Sequence, residues 1–393
     1  MLYNGSSACK FRAVFVITAV CCVLSAVLAA SLEYTNALST VTSGNTVGLA
    51  LHTALFALIG AAAAFGASKL DLSLLEKYAL PIGLLGLLLT GLTFTPLGIS
   101  PEGSDDRAWL SLGFFTMQPS ELLKLCFIIT LSAHIAGTKN INSPKSLGLL
   151  LLHSAVPTVL VWAQGDQGTA LVFGVIAAGM LVSAGLSYKV IAAVMIALPL
   201  GARLASQLLL EHQKRRIAVL LDPSLDPLGT GFQQLQSRRA IAGGGLLGKG
   251  LFSDGKGFVY VSQSQNDFIL AYAAQAAGVI ACGVIILLLF RLCIAVTAVY
   301  SPSKFGQGII AGTGALLFSH TLINTASALG SMPVIGVPLP FFSSGGTAMI
   351  TMLTALGLVR AAAEHKTDQN QNIQKEHSHE HSHPTGNIRT RSC

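Results

Sequence analysis

The chain predicts an all-α polytopic membrane protein with about ten transmembrane helices, and three observations carry that reading. Hydrophobic residues make up 52% of the 393 residues. Only 10% are charged, where a soluble domain carries roughly 25%. The apolar residues fall in runs of about 20, the length needed to cross a hydrocarbon core. Mean hydropathy is +0.65.

The first predicted span is 13–32, preceded by Lys10 and Arg12. Its uncharged run exceeds a secretory h-region of about 7–15 residues, so it reads as a retained helix and not a cleaved signal. The following spans are 47–68, 78–97, 119–136, 147–163, 169–187, 190–210, 268–290, 306–328 and 342–360. The last two share an uncharged stretch whose Pro333, Pro338 and Pro340 mark the turn between them. The membrane domain is expected over 1–363, and 364–393 as a polar, disordered tail. HSHEHSH in that tail is a metal-binding composition, but a solvated tail is the preferred reading. The seven cysteines form no CxxC pair and most sit in or beside apolar segments, so neither a disulfide framework nor a zinc site is expected.

Ten spans put both termini on one side. Loops on that side carry Lys69, Lys77, Lys139, Lys145, Lys189, Arg291 and Lys304, whereas the short opposite loops carry only Arg107. Basic loops stay in the cytoplasm, so the termini are expected there. The loop between the seventh and eighth helices, 211–266, is then extracytoplasmic although it is basic. Long loops escape the rule, and a basic outer loop calls for an anionic partner such as a phosphorylated lipid. These cations sit in a Gly-rich membrane-protein loop, not a nucleic-acid module, and the net charge of +7 does not imply nucleic acid.

Nearly all the polar, Gly-rich and Pro-rich stretches fall on that outer face. They are DDRAWLSLGFFTMQPSELLKL (105–125), QGDQGT (164–169), the 211–267 loop and PVIGVPLPFFSSGG (333–346). Four outer segments with chemical content predict one composite site. In QPSELLKL, Pro119 and Glu121 suit a first helical turn. Glu121 and Lys124 share a face and can pair. Lys124 lies inside an apolar span, where ionisable groups usually serve function. Asp166 can cap the next helix or take part in the site. GLLGKGL lacks the Ser or Thr of a Walker A loop. Asp267, in SQSQNDFILAY, opens an uncharged segment that runs to Arg291, and reads either as a helix cap or as a presented carboxylate.

Taken together, these stretches resemble the SEDS family (RodA, FtsW and SpoVE), membrane glycosyltransferases that polymerise peptidoglycan. The resemblance covers about residues 10 to 362. QPSELLKL is similar to the family's QPSE-x-x-K, QGDQGT to QPDxGT and NDFILAY to the T/N-D-F-I that opens its eighth helix. LLDPSLDPLGTGFQQLQSRRAIAGGGLLGKG is similar to its long outer loop, and PVIGVPLPFFSSGG to PVxGVPLPFxSxGG. The DPLG and GGGLLGKG wording leans to the RodA branch.

The resemblance implies lipid II as substrate, β-1,4 joining of its disaccharides, release of undecaprenyl diphosphate, and a role in elongation and cell shape or in division. It implies a class B penicillin-binding protein and other elongation or division proteins as partners, in the bacterial cytoplasmic membrane. It places the family's essential aspartate at Asp267. Diphosphate leaves readily, so the reaction needs one base for the attacking hydroxyl and cations for the departing charge. Asp267 is the base candidate. Lys124, Arg215, Arg216 and Lys249 are the diphosphate candidates. Arg107, Trp109, Glu121, Asp166, Gln233, Gln236, Ser237 and Ser343 complete the substrate-binding set. No protein metal site or organic cofactor is called for, and a divalent cation is compatible.

Several positions depart from the family pattern. Ser262 and Gln263 stand for Pro-Glu, Gln265 for a common His, Gln275 and Ala276 for paired acids, Ala108 for Arg and Gly165 for Pro. They motivate a non-catalytic scaffold as one alternative. A lipid II flippase is the other, but transporters favour midplane sites between inverted repeats. No clear repeat is evident. His52, His134, His153 and His320 read as packing residues and not as a proton relay.

Overall fold

The computed structural model describes residues 2–38, 48–100, 106–111, 113, 116–193, 218–219, 225–226 and 230–364. Arg215, Arg216, most of the predicted 190–210 span and the tail beyond residue 364 lie outside them.

The other nine predicted spans are helical. They are α1 (Leu2–Leu38), α2 (Leu49–Ala67), α4 (Ala79–Gly91), α5 (Pro119–Gly137), α6 (Pro144–Ala163), α7 (Gln167–Ser183), α9 (Ile269–Thr297), α10 (Lys304–Ala328) and α11 (Gly346–Glu364). Seven of these are long and apolar enough to cross a membrane; the stretch from Ala79 to Phe94 and α7 are shorter apolar helices. Among the described residues two α-helices were not anticipated: α3 (Leu72–Lys77) and α8 (Thr230–Gly244), the latter inside the long loop 211–266. Local sequence explains several starts. The Ser143 and Ser303 hydroxyls accept the backbone N–H three residues on, capping α6 and α10, and Pro144 and Pro119 occupy first turns.

The all-α expectation needs one small amendment. Strands β1 (Gly98–Ile99), β2 (Trp109–Ser111) and β3 (Thr116–Met117) form an antiparallel sheet between α4 and α5, with Ile99 opposite Trp109. It ties down the long connection that leads into QPSELLKL.

Helices α5, α10 and α11 form the centre. In each, 67% of the most apolar stretch is buried within the protein, against 11% in α2. Exposed apolar faces on the outer helices are therefore the lipid-facing ones. Helix α10 packs on α5, α7, α9 and α11, so whatever polar groups it carries meet the chain's interior.

Helix α9 is broken at Gly278, whose φ of 87° and ψ of 167° leave the helical region. A break inside an apolar span strands backbone groups that lipid cannot satisfy. The 243–250 stretch satisfies them. Lys249 and Gly250 donate N–H to the carbonyls of Gln275 and Ala276 at 2.9 and 3.0 Å. Val279 N–H donates to Gly245 O at 3.0 Å and Ile280 N–H to Leu246 O at 3.4 Å. The approach is so close that a side chain at Gly248 would strike the Ala276 carbonyl, and one at Gly278 the Leu246 carbonyl. The GGGLLGKG stretch is thus a backbone splint for α9.

Candidate functional site

The described parts of the four segments meet around the first turns of α5, α7 and α9. At the start of α5, Lys124 and Glu121 form the predicted pair, Nζ to Oε1 at 2.8 Å, with both side chains out of solvent. Lys124 Nζ also lies 2.9 Å from His320 Nε2 on α10. His320 Nδ1 is 3.0 Å from the carbonyl of Pro338. A carbonyl only accepts, so His320 donates from Nδ1 and accepts from the Lys124 ammonium at Nε2. His320 therefore links the ion pair to the PVIGVPLP segment.

Asp166 sits at the foot of α7. Oδ1 accepts the Thr169 N–H at 2.8 Å, which is the predicted cap, and Oδ2 accepts the Gln118 amide at 2.8 Å. The cap and a tie to α5 coexist in one carboxylate. Burial pushes the Asp166 carboxyl above its ordinary value, opposed by the Thr169 bonds and by the Lys124 charge. A side chain at Gly168 would strike the Ile335 carbonyl, so the PVIGVPLP segment lies directly on this turn.

Asp267 is where the structure departs from half of the sequence reading. The N-cap position of α9 is Phe268, and no side chain caps that helix. Among the described residues the Asp267 carboxylate has no hydrogen-bond partner. Its backbone, by contrast, is clamped. Asn324 on α10 donates its amide to the carbonyls of Asp267 and Val337, each at 2.9 Å. Ser343 donates to the Asn266 carbonyl at 2.6 Å and accepts the Leu339 N–H at 2.8 Å. The Ser344 N–H donates to Gln265 O at 2.9 Å. Gln263, where the family pattern has Glu, adopts a left-handed φ of 56° and its side chain accepts from the Asn266 amide at 3.0 Å. The backbone around Asp267 is thus held by α10 and the 343–344 segment while its carboxylate stays unbonded. Burial raises the Asp267 carboxyl from 3.8 to about 6, and the neighbouring Asp166 charge adds to the rise.

The remaining candidates are less centrally placed. Ser343 serves the frame through both bonds just given. Ser237 on α8 donates to the Ala328 carbonyl at 2.7 Å, anchoring α8 to the end of α10. Gln233 and Gln236 lie half-buried on the same helix. Lys249 folds onto its own loop, donating to the Gly257 carbonyl and lying 5.8 Å from the Phe258 ring centre. Its backbone pairs with Gln275, eight residues and about 12 Å along α9 from Asp267. Trp109 is half-buried in β2. Arg107 is exposed, and its backbone N–H donates to Gln164 O at 3.0 Å, beside the Asp166 turn.

Sequence reasoning missed Asn324 and Gln118 and took His320 for packing. A signal existed. His320 and Asn324 are four residues apart in an apolar helix and so share a face, and polar groups inside such a helix face protein or water. Gln275 is also explained. Its amide donates to Val259 O at 3.2 Å and accepts the Val259 N–H at 2.7 Å, a pairing an ionised acid cannot complete.

A family model described as a cell cycle protein family, FtsW/RodA/SpoVE, matches residues 11–368. The peptidoglycan glycosyltransferase MrdB of Escherichia coli K12 is 32% identical over 266 residues, 66% of this chain and 71% of that protein. A probable peptidoglycan glycosyltransferase FtsW of Geobacter sulfurreducens is 32% identical over 309 residues, 77% of this chain and 82% of that protein. Among solved structures, a chain of a peptidoglycan synthase complex that coordinates polymerisation and crosslinking superposes with a TM-score of 0.71 at 25% identity, over 86% of this chain and 96% of that one. The rod shape determining protein RodA of Thermus thermophilus has the same fold, with a TM-score of 0.63 at 23% identity over 88% and 94% of the two chains. The chain belongs to the FtsW/RodA/SpoVE family.

Proposed function

We propose that the protein is a peptidoglycan glycosyltransferase that polymerises lipid II, and that Asp267 is its general base. The observation that carries the reading is a carboxylate without a hydrogen-bond partner on a backbone clamped from both sides, raised to about 6. A base poised near working pH and held still is what proton abstraction from a sugar hydroxyl requires. In the proposed step the acceptor hydroxyl passes its proton to Asp267 as its oxygen bonds to the anomeric carbon of the donor. The bond to diphosphate breaks, undecaprenyl diphosphate departs, and the anomeric centre inverts. One direct displacement needs one carboxylate, not the paired acids of glycosidases.

Lys124 supports the site from below the surface through its field on Asp166. The departing diphosphate calls for accessible cations; Arg107 is exposed, and Arg215 and Arg216 remain candidates from the sequence. Among the described residues no three His, Cys, Asp or Glu side chains converge. A divalent cation would therefore find one free carboxylate at Asp267 and take its other ligands from substrate and water. Cytoplasmic termini and an extracytoplasmic site follow from the lysine distribution. A transpeptidase partner of the class B penicillin-binding type fits the likeness to a synthase complex. The break in α9 is a feature shared with transporters, but here its backbone groups are taken up by the 243–250 stretch.

Purified protein supplied with lipid II, with and without a transpeptidase, should yield glycan chains, and Asp267→Asn should abolish them. Unchanged chain formation by that variant would remove Asp267 from the role.

A further inference from the structure

A second polar cluster lies at the far end of α5 and takes no part in the site. His134, thirteen residues after Glu121 and so about 20 Å along the helix, meets His153 of α6. The two Nδ1 atoms are 3.0 Å apart and the rings are stacked, with centres 5.3 Å apart. His153 Nε2 lies 3.0 Å from Thr130 Oγ1, and the Thr130 hydroxyl donates to the Phe127 carbonyl at 3.1 Å. With its proton committed there, Thr130 can only accept from His153, so neutral His153 carries its hydrogen on Nε2 and accepts at Nδ1. His134 then donates from Nδ1, which leaves its Nε2 as the one open ring position of the pair.

The pair lines a cleft of about 560 Å³ between α4, α5 and α6. Leu80, Leu84 and Val156 on the cleft wall are 70%, 57% and 46% exposed, so the cleft opens sideways towards hydrocarbon. Its polar end carries Glu76 and Lys77, adjacent charges of opposite sign at the end of α3. An apolar trough ending in one cation, one anion and an imidazole matches a lipid whose headgroup joins a phosphate to an amine.

We propose that this cleft binds one phospholipid with a phosphate and a primary amine in its headgroup. Lys77 takes the phosphate, Glu76 and the unprotonated open nitrogen of His134 accept from the ammonium, and an acyl chain lies along Leu80, Leu84 and Val156. A purely anionic headgroup would meet Glu76 in repulsion. A trimethylated amine has no N–H to give it.

The test is native mass spectrometry of the full-length protein with phosphatidylethanolamine, phosphatidylglycerol and phosphatidylcholine of identical chains. Phosphatidylethanolamine should be retained about tenfold more tightly than either other lipid, the ratio expected for one charge-assisted contact. Glu76→Gln should erase that preference, Lys77→Ala, which removes the phosphate contact common to the three, should weaken retention of all of them, and Val156→Trp, which fills the cleft, should expel all three lipids. Equal retention of the three by the unmodified protein means annular lipid only and overturns the proposal. So does a preference that survives Glu76→Gln.

Discussion

Acidification tests Asp267 quantitatively, because its environment sets where the activity should fail. A base must be ionised to accept a proton. With its carboxyl at about 6, Asp267 is about 97% ionised at pH 7.5, about half at pH 6 and about 9% at pH 5. The rate of glycan polymerisation should therefore fall about tenfold between pH 7.5 and pH 5. A carboxyl left at 3.8 would stay about 94% ionised at pH 5, and the rate would hardly change. Asp166 contributes to the rise, so Asp166→Asn should move the midpoint of the profile downward. Asparagine keeps an acceptor for the Thr169 N–H, so the cap survives. The assay is initial rate of lipid II consumption by the purified enzyme across pH 4.5 to 8. A rate that is flat from pH 7.5 to pH 5, or an unmoved midpoint in Asp166→Asn, would refute the reasoning. Stability gives an independent arm. A carboxyl raised on folding contributes stability that is complete below 3.8 and is lost as pH rises through about 6. At pH 7.5 the ionised group thus costs up to about 3 kcal/mol, an upper bound for a half-buried side chain. Asp267→Asn should accordingly unfold at a higher temperature than the parent at pH 7.5, while losing activity.

Three further outcomes follow from named contacts. Glu121→Leu leaves Lys124 buried without a counter-charge and should cost about 3–5 kcal/mol, whereas Glu121→Leu with Lys124→Met together should cost less; thermal unfolding of the parent, the two single variants and the double variant reads the difference. Gly248→Ala forces a side chain onto the Ala276 carbonyl at a φ of 81° and should cost about 1–3 kcal/mol, with faster amide exchange at Gln275–Ile280. Gln275→Glu, which restores the acid common in the family, loses the donor to Val259 O and should destabilise by about 1–3 kcal/mol without raising the polymerisation rate; a gain in rate would contradict the splint role of this side chain.

The readable part of this protein rests on local physics. Twenty apolar residues must be a helix in lipid, because only a helix satisfies its own backbone there. Nine spans could therefore be placed to within a few residues, apart from longer ends on α1 and α9 and an earlier end to α4 at Gly91. Glu121 and Lys124 could be paired from their spacing alone, since residues three apart share a helix face. Asp166 could be seen as a cap for the same reason.

The tertiary structure decided what depends on contacts between distant residues. A helix inside the 211–266 loop was not visible, because α8 is held by Ser237 and Arg238 on the carbonyls of Ala328 and Gly330, 91 and 92 residues away. The purpose of GGGLLGKG emerged only when its backbone was found splinting the break in α9. His320 and Asn324 acquired roles only because α10 sits at the centre, against α5 and α9. Asp267 is the clearest instance. By spacing alone it could be a cap or a presented carboxylate, since both begin a helix, and the family resemblance favoured the second. What separated them is that Asn324, Ser343 and Ser344 take the backbone around it and leave the carboxylate unbonded, an arrangement set by chain segments that local sequence does not connect.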